Sequence, residues 1–320
     1  MDRYSFDVRL FHPLLHAGLS RRSKTAVTRL LRINWPTVGA IVERVVADGL
    51  DPGRLDGLVD IGADEISWKK HHHYLTVVVD HATGDVIWTG EGKDTAALDA
   101  FFAELGPRRA ARLRAISLDM GKAYPKSVAK EGHAPQATVC WDPFHVVAMG
   151  TKAMDVVRRG HWNQLRASAD PAVARRFKGA RWALLRNPED LSDRQADALA
   201  AIRRSGGATW RAYKGKEALR AIFAGDLPEP EAAGLLARWC AWAQRSRLPS
   251  FVKLGRTIRQ HRQGILAAIR LGLSNGRVEG RNAAIRLITR RAYGFHTAKA
   301  AAALVMLSLG PITLLLPHEK

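Results

Sequence analysis

The order of predicted strands and helices between residues 58 and 142 limits the chain to few folds. Short apolar runs rich in β-branched residues, separated by turn residues, predict strands, and longer runs with helical spacing predict helices. The predicted strands are Leu58–Ile61, Tyr74–Val79, Val86–Thr89, Leu113–Leu118 and Thr138–Trp141, and the helices are Thr95–Leu105 and Tyr124–Glu131. Three strands followed by helix, strand, helix and strand predict an α/β domain with a mixed sheet.

Three acidic residues occupy positions suited to a metal centre that cleaves phosphodiesters. Asp64 follows the first predicted strand and Asp119 ends the fourth, so the two carboxylates converge if these strands pair. Glu279 is the only acid between Ser250 and Ala300, a stretch rich in lysine and arginine. Carboxylates suit Mg²⁺, and two such ions ~3.5–4 Å apart would activate the nucleophile and stabilise the leaving oxygen. Taken singly, each aspartate could equally cap a turn.

The charge of the chain indicates a polyanionic partner. The formal net charge is +20, and DNA or RNA is the usual partner of so basic a protein. A merely soluble basic protein is the alternative, and a membrane surface is disfavoured because the charge is spread along the chain. Cys140 and Cys240 are the only cysteines, which predicts neither a disulfide framework nor a zinc site and fits a reducing cytosol.

Residues 20 to 48 predict two short helices with basic flanks. Ser23 can cap the first helix, and the second begins near Pro36, a residue favoured at the start of a helix. An apolar stripe follows at helical spacing: Val38, Ile41, Val42 and Val45. This pattern fits a DNA-binding helix-turn-helix or any small helical hairpin. In the first case Thr37 and Arg44, on the more polar side, are candidates for DNA contacts.

The remaining sequence predicts a helical insertion and a final helical segment. We expect a helix-turn-helix segment at 1–50, a first catalytic part at 51–148, a basic helical insertion at 149–270 and final helices at 271–320. Tryptophans are scattered through the insertion, where they could stack on bases but more often form core. They are Trp162, Trp182, Trp210, Trp239 and Trp242.

A family resemblance is carried by four runs: DIGADEISWKKHHHYLTVVVDHATGDVIW, SLDMGKAYPKSV, WDPFHVV and SNGRVEGRNAAIRLITRRAYGF. They resemble the transposases of the ISL-three group of bacterial insertion sequences, with matching order from about residue 20 to about residue 310. The resemblance implies an RNase H-like core split by a helical insertion and preceded by a helix-turn-helix. It also implies a DDE triad of Asp64, Asp119 and Glu279 that holds Mg²⁺ or Mn²⁺.

Further site residues follow from the same runs. In the segment around Glu279 we expect Arg277, Arg281, Asn282 and Arg286 to contact DNA, with Glu279, Asn282 and Arg286 on one helix face. In WDPFHVV we expect Asp142 and His145 to play supporting roles, although Asp142 could be an auxiliary ligand or a cap. Glu65 would point away from the site, because successive residues of a strand face opposite sides.

The expected partners are double-stranded DNA, as element ends and target, and further copies of the chain in a homodimer or larger assembly on DNA. No membrane partner is expected, and the location would be the cytoplasm, at the bacterial nucleoid. The family implies an N-terminal zinc-ribbon-like module, which we expect to be absent, since no cysteine precedes Cys140. Two other functions stay open: a catalytically silent or truncated DNA-binding regulator, and an RNase H-like structure-selective nuclease.

Overall fold

The structure is a computed structural model that describes most of the chain. It covers residues 25, 28, 29, 32–168, 170–225, 227–273, 276–292 and 294–312, without the side chains of 168 and 276–279. The chain divides into two compact units. The first combines the residues up to 139 with those from 275 onward, and the second holds residues 140–274.

The first unit contains a five-stranded mixed sheet with helices. Its elements are α1 (Trp35–Gly49), β1 (Asp60–Lys69), β2 (His73–Asp80), β3 (Val86–Glu91), α2 (Thr95–Leu105), α3 (Pro107–Ala110), β4 (Ala115–Leu118), α4 (Ala123–Val128), β5 (Thr138–Trp141), α13 (Gly276–Arg291) and α14 (Ala298–Leu309). The strand order is β3-β2-β1-β4-β5. β2 pairs antiparallel with β1 and β3, whereas β1 and β4 are parallel. The predicted fold class, an RNase H-like mixed sheet with large helical regions, is confirmed.

The first strand is longer than predicted. The sequence pattern ends it at Ile61, but β1 continues to Lys69 because β2 pairs with it along this length. Asp64 therefore lies inside a strand and not after one. The helix predicted at Tyr124–Glu131 is α4, which ends at Val128.

Every regular element that the structure describes in the second unit after β5 is a helix. It contains α5 (Pro143–Ser168), α6 (Pro171–Gly179), α7 (Arg181–Leu185), α8 (Asp193–Ser205), α9 (Gly207–Ala224), α10 (Glu229–Arg245), α11 (Pro249–Gln260) and α12 (Arg262–Leu271), with one 3₁₀ turn at Pro188–Asp190. Of its tryptophans, Trp239 is core, with its indole N–H donating to the Gly215 carbonyl. Trp182 is exposed. Among the described helices of both units, none is long and apolar enough to cross a membrane.

One apolar core of the first unit joins α1 to the sheet. The predicted stripe of α1 is buried, and it belongs to one cluster with Val77 of β2 and Leu304 of α14. The helix begins at an Asn34 cap, whose side chain accepts from the Thr37 N–H. Most of the first helix of the predicted helix-turn-helix lies outside the described residues, so that motif stays a prediction.

Replacing Leu304 by alanine should destabilise the first unit by roughly 2–5 kcal/mol, because a fully packed leucine would leave a cavity. Leu304 is 2% exposed, whereas Leu287 of α13 is 47% exposed and serves as a control with the same substitution. We expect Leu287→Ala to change the free energy of unfolding by less than about 0.5 kcal/mol. Urea unfolding followed by circular dichroism measures both. Equal effects would show that α14 is not part of this core.

Candidate active site

Pairing of β1 with β4 brings Asp64 and Asp119 together. In the parallel register Ala63 of β1 lies opposite Leu118 of β4. The residue after Ala63 is Asp64, and the residue after Leu118 is Asp119. Asp64, Asp119 and Glu65 each contribute one carboxylate oxygen to a cluster in which these oxygens lie within 4.8 Å of one another. The expected pairing of the first and fourth strands, with convergence of their two acids, is therefore what the structure shows.

Asp64 is fixed in orientation by two hydrogen bonds. Its Oδ1 accepts from the backbone N–H of Glu65 at 2.8 Å, and its Oδ2 accepts from Nδ2 of Asn282 at 2.5 Å. Asp64 is 9% exposed and Asn282 is 1% exposed. The Asn282 Oδ1 is also buried and has no hydrogen-bond partner among the described residues. The contact joins α13 to β1, and so the first and fourth of the runs that carry the family resemblance.

The position of Asn282 shows which face of α13 meets the sheet. Asn282 and Ile285 are buried, and residue 279 lies three positions before Asn282 in the same helix. That Glu279 shares this face with Asn282 stays a prediction from their spacing, since residues three apart lie on one side of a helix. The side chains of Glu279 and Arg277 lie outside the described residues. Arg286 is exposed, whereas Asn282 is buried, and the predicted role of Arg286 in phosphate contact stays a prediction.

Glu65 joins the acidic cluster, which strand alternation did not predict. Opposite Glu65 on β2 lies Thr76, whose hydroxyl is 2.9 Å from the Tyr124 hydroxyl. The Thr76 hydroxyl donates to the Gly92 carbonyl, so the Tyr124 O–H donates to Thr76. Burial raises the pKa of Tyr124, and the carboxylates of Glu65, Asp64 and Asp119 raise it further. The phenol therefore stays neutral beside the cluster.

Comparisons with known proteins show the family of the chain. A family model for ISL3-type DDE proteins, described as a transposase, matches residues 61–304. The chain belongs to the ISL3 (ISL-three) family of DDE transposases. It is 46% identical over 309 residues to the transposase for insertion sequence element IS1557 of Mycobacterium tuberculosis, covering 90% of this chain and 68% of that protein. It is 32% identical over 275 residues to the transposase for IS1001 of Bordetella parapertussis, covering 85% and 66% respectively.

Two residues of α13 that were predicted to contact DNA make protein contacts in the structure. The Asn282 amide is buried against Asp64, which leaves no exposed surface for a phosphate. The Arg281 guanidinium donates to the Gly84 carbonyl in the turn after β2 and lies 4.0 Å from Asp85. Arg286 is exposed on α13. Among the predicted DNA-contact residues of α13 whose side chains the structure describes, Arg286 is the exposed one.

The residues predicted in α1 occupy its first and third turns. Thr37 is exposed, and its hydroxyl donates to the Asn34 side chain at 2.5 Å. Arg44 is exposed on the same helix. Both are compatible with a DNA contact, and their role stays a prediction.

Asp142 and His145 form a local pair at the start of α5, in the second unit. Asp142 is 1% exposed, and its Oδ1 accepts from the backbone N–H of Phe144 at 3.1 Å. Its Oδ2 lies 3.0 Å from Nδ1 of His145. A carboxylate that accepts a first-turn N–H is a helix cap, which was one of the two roles expected for Asp142. Their supporting role in catalysis stays a prediction.

Proposed function

We propose that this chain is a transposase that cleaves insertion-sequence ends and joins them to target DNA by two-metal phosphoryl transfer. The observation that carries the proposal is the convergence of Asp64, Glu65 and Asp119 at one point of the sheet, with α13 held there by Asn282. Family membership supports the same chemistry, since the matched region includes all three positions of the predicted triad.

The donor set fits a hard divalent cation. Three carboxylate oxygens within 4.8 Å of one another are ligands of the type that Mg²⁺ and Mn²⁺ prefer. We propose that Asp64, Asp119 and Glu279 hold the metal, with Glu65 beside them. When bound, the metal supplies Lewis-acid activation of the attacking oxygen and stabilises charge on the leaving oxygen.

The chain's own residues prepare the site in two ways. The Glu65 N–H and the Asn282 amide fix the Asp64 carboxylate, so that it need not reorganise when the reaction begins. Tyr124 contributes a neutral hydroxyl, bonded to Thr76, that adds no negative charge to the cluster. The first arrangement keeps the Asp64 carboxylate in place for an in-line displacement.

The proposed partner is double-stranded DNA, because the +20 charge of the chain complements a polyanion. We propose that element ends and target are bound by a homodimer or larger assembly in the cytoplasm, at the nucleoid. A catalytically silent DNA-binding regulator is the alternative. It is not favoured, because a regulator has no need of three converging carboxylates and a buried amide that orients one of them.

A strand-transfer assay separates the candidate functions. Labelled duplexes with the terminal sequences that flank the gene are incubated with the protein, target plasmid and Mg²⁺, Mn²⁺ or Ca²⁺. A transposase joins the 3′-hydroxyl of the labelled strand to the plasmid in Mg²⁺ or Mn²⁺. A structure-selective nuclease produces cleavage without joining, and a regulator produces binding alone. Either of the last two results would overturn the proposal.

If α1 reads DNA sequence, Arg44→Ala should weaken binding to element ends about tenfold and binding to random duplex much less, because one base contact contributes roughly 1–3 kcal/mol. A point substitution is preferable to deletion of residues 1–50, since Val38, Ile41, Val42 and Val45 belong to the core. Arg108→Ala, at another exposed arginine of the same unit, is the charge control. Fluorescence anisotropy measures both affinities. An equal loss on the two DNAs would mean that Arg44 contributes only charge.

A further inference from the structure

One exposed aromatic residue of the second unit lies between two arginines. Trp182 of α7 is 49% exposed, whereas Ala183 and Leu184 of the same short helix are fully buried. The guanidinium carbons of Arg181 and Arg186 lie 4.8 Å and 5.6 Å from its ring centroid. These distances are those of cation–π pairs. The helix is thus anchored by its inner side and presents an Arg-Trp-Arg cluster on its outer side.

The two guanidiniums of this cluster are not neutralised by nearby acids. Neither Arg181 nor Arg186 has an ion-pair partner among the residues that the structure covers. The acids of the following turn are engaged elsewhere: Glu189 pairs with Arg220 at 2.7 Å, and Asp190 accepts from Asn187 at 3.2 Å. Two positive charges are therefore held together at the surface, and no acid in the described part of the chain pairs with them.

The backbone beneath the cluster is held by a buried lysine. The ammonium of Lys216, which is 2% exposed, donates to the Arg186 carbonyl at 3.0 Å and pairs with Glu217 at 2.6 Å. The Arg186 N–H in turn donates to the Trp182 carbonyl at 3.0 Å. The end of α7 is thereby fixed to α9. Because this backbone is already fixed, less conformational entropy is lost when a ligand orders the two arginine side chains.

We propose that the Arg-Trp-Arg cluster is a clamp for the phosphodiester backbone of duplex DNA. A guanidinium that lies over a ring still directs its N–H donors outward in its own plane, where they match phosphate oxygens. The indole fixes two such guanidiniums without adding charge. The same pairing recurs at Trp162, whose ring has Arg166 at 4.8 Å and Lys178 at 5.7 Å. The proposal rests on the proposed function for its choice of DNA as the polyanion.

The test compares Trp182→Ala with Trp182→Phe in the full chain, with random duplex DNA as the probe. Because the indole only holds the guanidiniums, Trp182→Ala should weaken binding about three- to tenfold without a change in charge, and Trp182→Phe should remain close to the unsubstituted protein. Fluorescence anisotropy over a range of salt concentrations measures the affinity. Circular dichroism checks that each variant is folded.

The double variant Arg181→Ala/Arg186→Ala tests the phosphate contacts. Its salt dependence, as the slope of log affinity against log salt, should fall by about 2, since each lost phosphate contact contributes ~0.9. Arg159→Ala, an exposed arginine already paired with Asp155, is the control and should change the slope by much less. An unchanged slope in the double variant, or equal affinities for Trp182→Ala and the unsubstituted protein, would overturn the clamp. Strand transfer at saturating DNA is measured separately, so failure of the proposed function is recognised independently.

Discussion

Asp119→Asn is expected to abolish strand cleavage and to leave the affinity for duplex DNA nearly unchanged. Asp119 follows β4 and contributes one of the three converging carboxylate oxygens, so the substitution removes one negative charge and one ligand oxygen from the proposed metal centre. Loss of a mere supporting partner of a metal ligand typically costs 10–100-fold in metal affinity or activity. Loss of a ligand should therefore reduce cleavage by at least about a hundredfold.

The measurement is single-turnover cleavage of a labelled element end in Mg²⁺ and in Mn²⁺, with Mn²⁺ binding followed by calorimetry. Asp56→Asn is the matched control, because Asp56 is an exposed aspartate of the same unit that pairs with Arg109. It should keep full cleavage and metal binding. Retained cleavage in Asp119→Asn would remove Asp119 from the catalytic assignment. A parallel loss of DNA binding and thermal stability would show a structural role instead.

Local sequence patterns were sufficient to predict the order of strands and helices along the chain and, on condition that the first and fourth strands pair, the meeting of Asp64 with Asp119. Each strand carries its own apolar run, and once β1 and β4 pair in parallel, an acid at the same register on each must converge. The family resemblance added Glu279 to these two acids as the third member of the predicted triad. The length of β1 was not predictable from its own residues, because pairing with β2, and not local propensity, extends it past Ile61.

Contacts between distant residues were beyond the reach of pattern analysis. Asn282 lies 218 positions from Asp64, and no local signal distinguishes an amide that meets a carboxylate from one that meets a phosphate. Glu65 joins the acidic cluster through the orientation of its side chain, which the alternation of faces along a strand does not predict. The tryptophans differ for the same reason: Trp239 finds a buried acceptor and Trp182 does not lie in the core, although their sequence surroundings are alike.

Asn282→Ala is expected to weaken metal binding about 10–100-fold, the typical effect of losing a residue that orients a metal ligand. Without the amide, Oδ2 of Asp64 loses the donor that orients it, while the carboxylate itself remains available as a metal ligand. Cleavage should therefore fall steeply at low Mn²⁺ and recover in part as Mn²⁺ rises. Asp119→Asn, which lacks a ligand, should not recover. The metal concentration at half-maximal cleavage is the quantity to compare.

Asn282→Asp distinguishes orientation from space filling, since it keeps the shape of the side chain and replaces its donor with a second carboxyl. Position 282 is only 1% exposed and lies next to Asp64, so a second carboxyl there is both buried and close to another acid. The metal-free variant should therefore lose roughly 1–3 kcal/mol of unfolding free energy. A divalent cation should offset the repulsion, so Mn²⁺ should raise the unfolding temperature of this variant more than that of the unsubstituted protein. Asn163→Asp, at an exposed asparagine of α5, should show neither effect. If Asn282→Ala loses cleavage equally at every Mn²⁺ concentration and Asn282→Asp gains no extra stabilisation from Mn²⁺, Asn282 only packs α13 against β1 and does not position Asp64.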